Sequence, residues 1–240
     1  MSRISILLLL VFLSACASRG GQELEPPFGL TTEFLVPGSS SSTMTLVSPE
    51  GTRTIGTAIQ RVDRSRVDGR EVLILGLEQV MGQGTMVDSL VVDAHSLRPL
   101  SYSNIMPGMQ TIRTVYSEDG SVGSAIQRGS MEGGVDTLLT TPVLDAASFT
   151  SLLPALPLEE GLQLSLPVFH YEQGVLDYQV HVVGKETVTT CRGDIEAWIV
   201  DVTTPINTTR HWSSVGDREM IQVIVELGGG NRFEQRLICG

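Results

Sequence analysis

Three groups of residues in this sequence could carry chemistry. Asp88, Asp93 and His95 fall near one end of a predicted strand, where a carboxylate and an imidazole could exchange protons with a substrate. His170 and Glu172 would point to the same face of a strand and could hold a metal ion, although isolated surface polar residues account for them better. His181, on the wetter face of its strand, and His211, beside Trp212, read as ordinary strand residues. Trp198 and Trp212 stand out because aromatic residues make up only 5% of the chain. Each is either a core residue with its indole N–H satisfied or a platform on which a ligand stacks, and the core role is favoured. The sequence holds no Gly-x-Ser-x-Gly, His-Glu-x-x-His, Cys-x-x-Cys or Gly-x-x-x-x-Gly-Lys motif. The expectation is a protein that is not an enzyme, with no catalytic residue, metal or cofactor.

The remaining chemistry belongs to cysteine. Met1-Ser2-Arg3 is a short positive start, and residues 4–13 are apolar except for Ser5. Ten residues are too few to span a membrane, which takes about 20, but they suit the core of a secretory signal peptide. The run ends in Leu13-Ser14-Ala15-Cys16, which resembles the lipobox of bacterial lipoproteins. That resemblance implies cleavage after Ala15 and acylation of Cys16, so that residues 1–15 are a signal peptide and Cys16 becomes the N-terminus. Ala17, rather than an acidic residue, follows the cysteine, which favours the outer membrane, facing the periplasm. Several acyl chains on one residue make a lasting anchor, at about 0.8 kcal/mol per buried CH₂. Residues 16–28, with small residues, two acids and Pro26-Pro27, read as a flexible tether.

The formal net charge of −11 argues against a nucleic-acid partner and against a basic patch on anionic lipid. Apolar residues reach 41%, enough for a core built from Val, Ile, Leu and Met. Charged residues, at 18%, fall below the usual quarter of a soluble domain. Ser, Thr, Gln and Gly must therefore cover much of the surface, as on the wet faces of antiparallel sheets.

The elements that position these residues read as strands. Short apolar runs punctuated by Gly, Pro, Asp or Ser predict strands at 32–36, 42–47, 54–62, 71–80, 85–93, 99–105, 111–117, 121–128 and 135–140. Asp68-Gly69 and Asp119-Gly120 supply turn residues that tolerate positive φ. Beyond Gly174 come five further runs, the first two joined by a tight turn at Cys191-Arg192-Gly193-Asp194. Within residues 174–183, Leu176, Tyr178, Val180 and Val182 alternate with Asp177, Gln179 and His181, as expected of a half-buried strand. The run Val72-Leu73-Ile74-Leu75 instead calls for cover on both faces. One helix is predicted, residues 145–153, with Asp145 as N-cap and Pro154 as stop; it is short enough to need docking on the sheet. The expected fold is all-β: a mainly antiparallel meander curved into a partly open, barrel-like sheet with one short covering helix, forming a single domain over residues 29–240.

Cys191 and Cys239 end the first and fifth of the last strands, in an oxidising envelope. In a flat sheet they would stand about 19 Å apart, four spacings of roughly 4.8 Å. A disulfide therefore requires the sheet to curl or Cys239 to fold back; the alternative is two buried thiols.

Gly184-Lys185-Glu186-Thr187-Val188, Gly193 and Ala197-Trp198-Ile199-Val200 resemble the bacterial envelope family known as domain of unknown function 3108. The likeness extends to Asp145-Ala146-Ala147-Ser148-Phe149, to His211-Trp212-Ser213-Ser214 and to residues 218–225 and 233–237, and so covers the C-terminal half, reaching more loosely back to Asp88. It implies a β-rich, partly open periplasmic barrel and no particular reaction; the Cys191/Cys239 pair departs from it. The functional expectation is a membrane-anchored binding module whose concave face holds an apolar or amphiphilic ligand. The alternative is an interaction lipoprotein with a self-filled barrel that meets other envelope proteins.

Overall fold

The computed structural model describes residues 27–239 apart from Gln83 and Ser148; Ala15 and Cys16, with the predicted signal peptide and most of the tether, lie outside the described residues. Eight strands come first: β1 (Gly38–Ser48), β2 (Gly51–Val67), β3 (Arg70–Met81), β4 (Gly84–Asp93), β5 (Pro99–Met106), β6 (Gln110–Tyr116), β7 (Ser121–Arg128) and β8 (Met131–Leu138). A two-residue strand β9 (Leu144–Asp145) and a four-residue helix α1 (Phe149–Leu152) follow. The chain then forms β10 (Gln163–His170), β11 (Gly174–Thr190), β12 (Gly193–Thr203), β13 (Thr208–Ser214), β14 (Met220–Gly228) and β15 (Asn231–Ile238).

All fifteen strands belong to one sheet, ordered 8-7-6-5-4-3-2-1-15-14-13-12-11-10-9, antiparallel except where β9 runs beside β10. The first and last long strands pair at its middle, with Ser42 opposite Leu237. The two edges are consecutive in sequence, so the link between β8 and β9 forces the sheet to roll. It does not close into a barrel. Instead the edges overlap like a scroll: Phe169 of β10 meets Tyr116 of β6 edge-on, with ring centroids 5.8 Å apart, and packs with Val122 of β7. The Ser124 hydroxyl donates to the Tyr171 carbonyl, and Arg128 pairs with Glu172 across the same seam.

Inside the scroll, Leu75, Leu90, Tyr102 and Ile112 from one half face Leu166, Val180, Val200 and Val202 from the other. The space between is filled by Phe149, Leu152, Leu153, Leu156 and Leu158, a segment that acts as a plug. Each such side chain contributes about 1.5–3 kcal/mol of burial, so the interior is satisfied by the chain's own residues.

Three expectations change. Residues 32–36 form a turn that buries Leu35 rather than a strand. The helix is four residues long, because Leu144-Asp145 pairs with Val168-Phe169 and Pro154 ends the helix. Asp145 thus lies in a strand, where its carboxylate accepts from the Tyr116 hydroxyl and the Ala147 N–H. Strand β10 lies outside the strands predicted from the sequence.

Candidate functional site

The five-residue turn between β13 and β14, residues 215–219, is built by its own side chains. The Ser213 hydroxyl donates to the Arg218 carbonyl (2.7 Å), the Ser214 hydroxyl is bonded to Asp217, and Asp217 accepts from the Glu219 N–H (3.1 Å). Glu219 is gripped by both terminal nitrogens of Arg192, at 2.6 and 3.3 Å. This scaffold holds Arg218 at φ 62°, a left-handed conformation unusual for a residue with a side chain.

The constrained turn aims the Arg218 guanidinium over the Phe34 ring (4.7 Å) and toward the Trp198 ring (5.6 Å). Its Nε and Nη1 are buried and have no hydrogen-bond partner among the described residues. Burial lowers its pKa, an effect the Glu33 carboxylate only partly counters. Lys185 places its Nζ 4.4 Å from the centre of the same indole. A β-bulge puts it there: the register slips between Val182 and Gly184, and Gly184 takes φ 154°, a conformation nearly confined to glycine. The extra residue reverses side-chain parity, so Lys185 rather than Gly184 stands opposite Trp198. The Trp198 Nε1–H is buried and unpartnered among the described residues.

Arg218 lines a cleft of about 370 Å³. Phe34, Leu35 and Val36 form one wall, Leu153 and Pro154 of the plug another, and His211 and Ser213 of β13 the floor. His211 is 2% exposed; its Nε2 meets the Thr209 hydroxyl at 2.7 Å, while Nδ1 has no partner among the described residues. Burial pushes its pKa down to about 4, with Asp201 opposing only weakly. Unfolded histidine titrates near 6.5, so between about pH 6.5 and 4 the unfolded chain holds a proton that the folded chain refuses. Stability is therefore full above pH 6.5 and falls as the pH drops through that window, by up to about 3 kcal/mol. Denaturant unfolding at pH 7.5 and 4.5 should show this loss, and His211→Gln should reduce it. An unchanged loss in the variant would assign the effect to other groups.

A second cleft, of about 380 Å³, opens at the scroll seam between Arg98, Tyr116, Gly120 and residues 139–143. None of the described side chains that line it has a buried polar atom without a hydrogen-bond partner.

The other residues singled out by type are scattered. Asp88 is buried on the inner face of β4, accepting from the Tyr102 hydroxyl and the Asn104 amide; burial raises its pKa against those two bonds. Asp93 points to the opposite face and caps the turn at His95 and Ser96, leaving His95 exposed near Glu71. The three side chains therefore do not assemble into an acid–base group. His170 accepts from the Glu172 N–H through Nδ1, and the Glu172 carboxylate is taken by Arg128. No group of three His, Cys, Asp or Glu side chains gathers as a metal site among the described residues.

The tryptophans part company: Trp198 belongs to the scroll interior, whereas Trp212 donates its N–H to Glu186 and packs with Ala197 and Ile221 on the reverse face. Cys191 and Cys239 form a disulfide with Cα atoms 6.0 Å apart. Arg218 was legible only as a residue near the start of a strand; the structure puts it in the preceding turn. Lys185 carried one sequence signal, as the chain's only lysine.

Compared with known proteins, residues 42–234 match the family model described as protein of unknown function (DUF3108). The match reaches well ahead of the C-terminal half, to the first strand. No curated protein matches the chain.

Proposed function

We propose that this chain, which belongs to the DUF3108 family of proteins of unknown function, is a lipid-anchored envelope protein that binds an apolar or amphiphilic ligand without transforming it. Its lipobox-like segment supports attachment through Cys16 to the outer membrane, with the sheet in the periplasm. The single observation that carries the binding role is the apolar cleft between residues 34–36 and the plug. Its volume lies within the range of about 300–1,000 Å³ typical of small-molecule sites. Because the scroll interior is already occupied by residues 149–158, the ligand sits where the plug meets the sheet. The filled interior also favours the second reading, a protein that meets envelope partners through its surface.

A neutral fluorescent probe separates the two. Full-length protein in phosphatidylcholine nanodiscs should bind N-phenyl-1-naphthylamine saturably, beyond partition into empty discs. Val36 lies on the rim of the cleft and is 65% exposed, so Val36→Arg should leave the fold intact. It should weaken binding of this neutral probe about tenfold or more by replacing part of the apolar wall with a charge. Absence of saturable binding would remove the binding role and leave the interaction reading.

A further inference from the structure

The proposed binding role leaves the head group of the ligand open; Arg218, which lines the cleft, and Lys185, on the indole that Arg218 also approaches, address it. Burying the Nε and Nη1 of a half-buried guanidinium, with no hydrogen-bond partner for either among the described residues, is costly unless a ligand completes them. Nearby carboxylates do not serve. Glu219 is engaged by Arg192, Asp217 by its own turn, and Glu33 forms no ion pair with Arg218 among the described residues. Lys185 likewise has no acidic partner among the described residues, although the chain carries a net charge of −11. Two cations thus converge on one indole beside a mainly apolar cleft, neither in an ion pair among the described residues. The turn that presents Arg218 keeps a left-handed φ of 62° to do so.

We propose that Arg218 and Lys185, gathered on Trp198 beside this cleft, bind the anionic oxygens of an amphiphile's head group, a phosphate or a carboxylate. The ligand's apolar chain then lies along Phe34, Leu35, Val36, Leu153 and Pro154. The guanidinium supplies directed N–H donors to two oxygens, as arginine does for both acid types, while the ammonium adds a point charge. The Phe34 and Trp198 rings hold the guanidinium in place by cation–π contact.

This inference rests on the proposed binding role, and the test tells the two apart. Full-length protein in phosphatidylcholine nanodiscs is titrated, at concentrations below micelle formation, with octyl phosphate, octanoate and octyl glucoside, following tryptophan fluorescence and subtracting empty discs. The expected result is that at least one anionic probe binds about tenfold or more tightly than octyl glucoside. Preference for octyl phosphate alone identifies a phosphate head group; equal preference for octanoate identifies a general anion site. Arg218→Gly accepts the left-handed backbone and should abolish the preference of anionic probes over octyl glucoside; Lys185→Met should reduce it. Equal affinity for all three probes in the unsubstituted protein would overturn the head-group assignment and leave the binding role standing. Failure of all three to bind would overturn both. The comparison of probes on the unsubstituted protein decides even where a variant fails to fold.

Discussion

Cys16→Ala is expected to leave the chain as an uncleaved precursor, absent from the outer-membrane fraction in its mature form. The thiol at that position is the only group that can carry the thioether-linked diacylglycerol the lipobox resemblance implies, and alanine offers no nucleophile. The expected effect is close to all-or-none, because under the proposed lipidation one position supplies the whole anchor, at about 0.8 kcal/mol per buried methylene. Membrane fractionation with intact-mass measurement reads it directly. A variant that reaches the outer membrane at the mature mass would show that residues 13–16 are not a lipobox. Among the described residues no helix is long and apolar enough to cross a membrane.

Replacing Cys191 and Cys239 together by serine is expected to produce the largest loss of stability from any surface change. The bond closes a span of 48 residues, and the chain-entropy estimate for such a loop is about 4 kcal/mol. For a chain of this size that corresponds to a fall in Tm of about 10 °C. What the bond holds is a curl. Cys191 follows β11 and Cys239 follows β15, with three strands between them, yet their Cα atoms stand 6.0 Å apart rather than the roughly 19 Å of a flat sheet. The curled ends wrap a second, small core on the reverse face: Ala197, Trp212 and Ile221, flanked by Val188, Ile195, Ile199 and Ile224. Three buried residues offer little burial energy of their own, so the covalent closure should matter most there. Thermal unfolding of the oxidised protein, the reduced protein and the double variant checks the expectation. Equal melting temperatures would mean that this core curls the strand ends unaided.

The curl and the cleft are mechanically related. The disulfide, the Arg192–Glu219 pair and the turn that carries Arg218 all lie at one end of the sheet. Holding the β11–β12 hairpin close to the β13–β14 turn helps to position the guanidinium beside Trp198.

Local patterning determined most of the architecture. Asp68-Gly69, Gly120 and Gly228-Gly229-Gly230 adopt the positive φ their turns require, except that Asp119 keeps negative φ. The alternation from Leu176 to Val182 places Tyr178, Val180 and Val182 inside and Asp177, Gln179 and His181 outside. These signals are legible because period-two burial and turn chemistry act between neighbours in the chain. Strand β10 escaped because Pro167 interrupts it. Proline cannot donate to a ladder, and it is tolerated here because β9 pairs only at Val168 and Phe169, leaving Pro167 at the sheet edge.

Tertiary structure alone decided the rest. Whether the concave face stays open or is plugged depends on residues 149–158 reaching across the scroll, a packing outcome with no local signature. The parity switch at Gly184 and the left-handed Arg218 acquire meaning only when β11, β12 and the β13–β14 turn are adjacent. Asp88 and Asp93 look like partners in sequence, but an odd spacing on one strand sends them to opposite faces. Arg218, Lys185 and Trp198 are separated by 13 to 33 positions and gather because a sheet pairs its strands side by side. Only the rolled sheet brings those two charges to one ring.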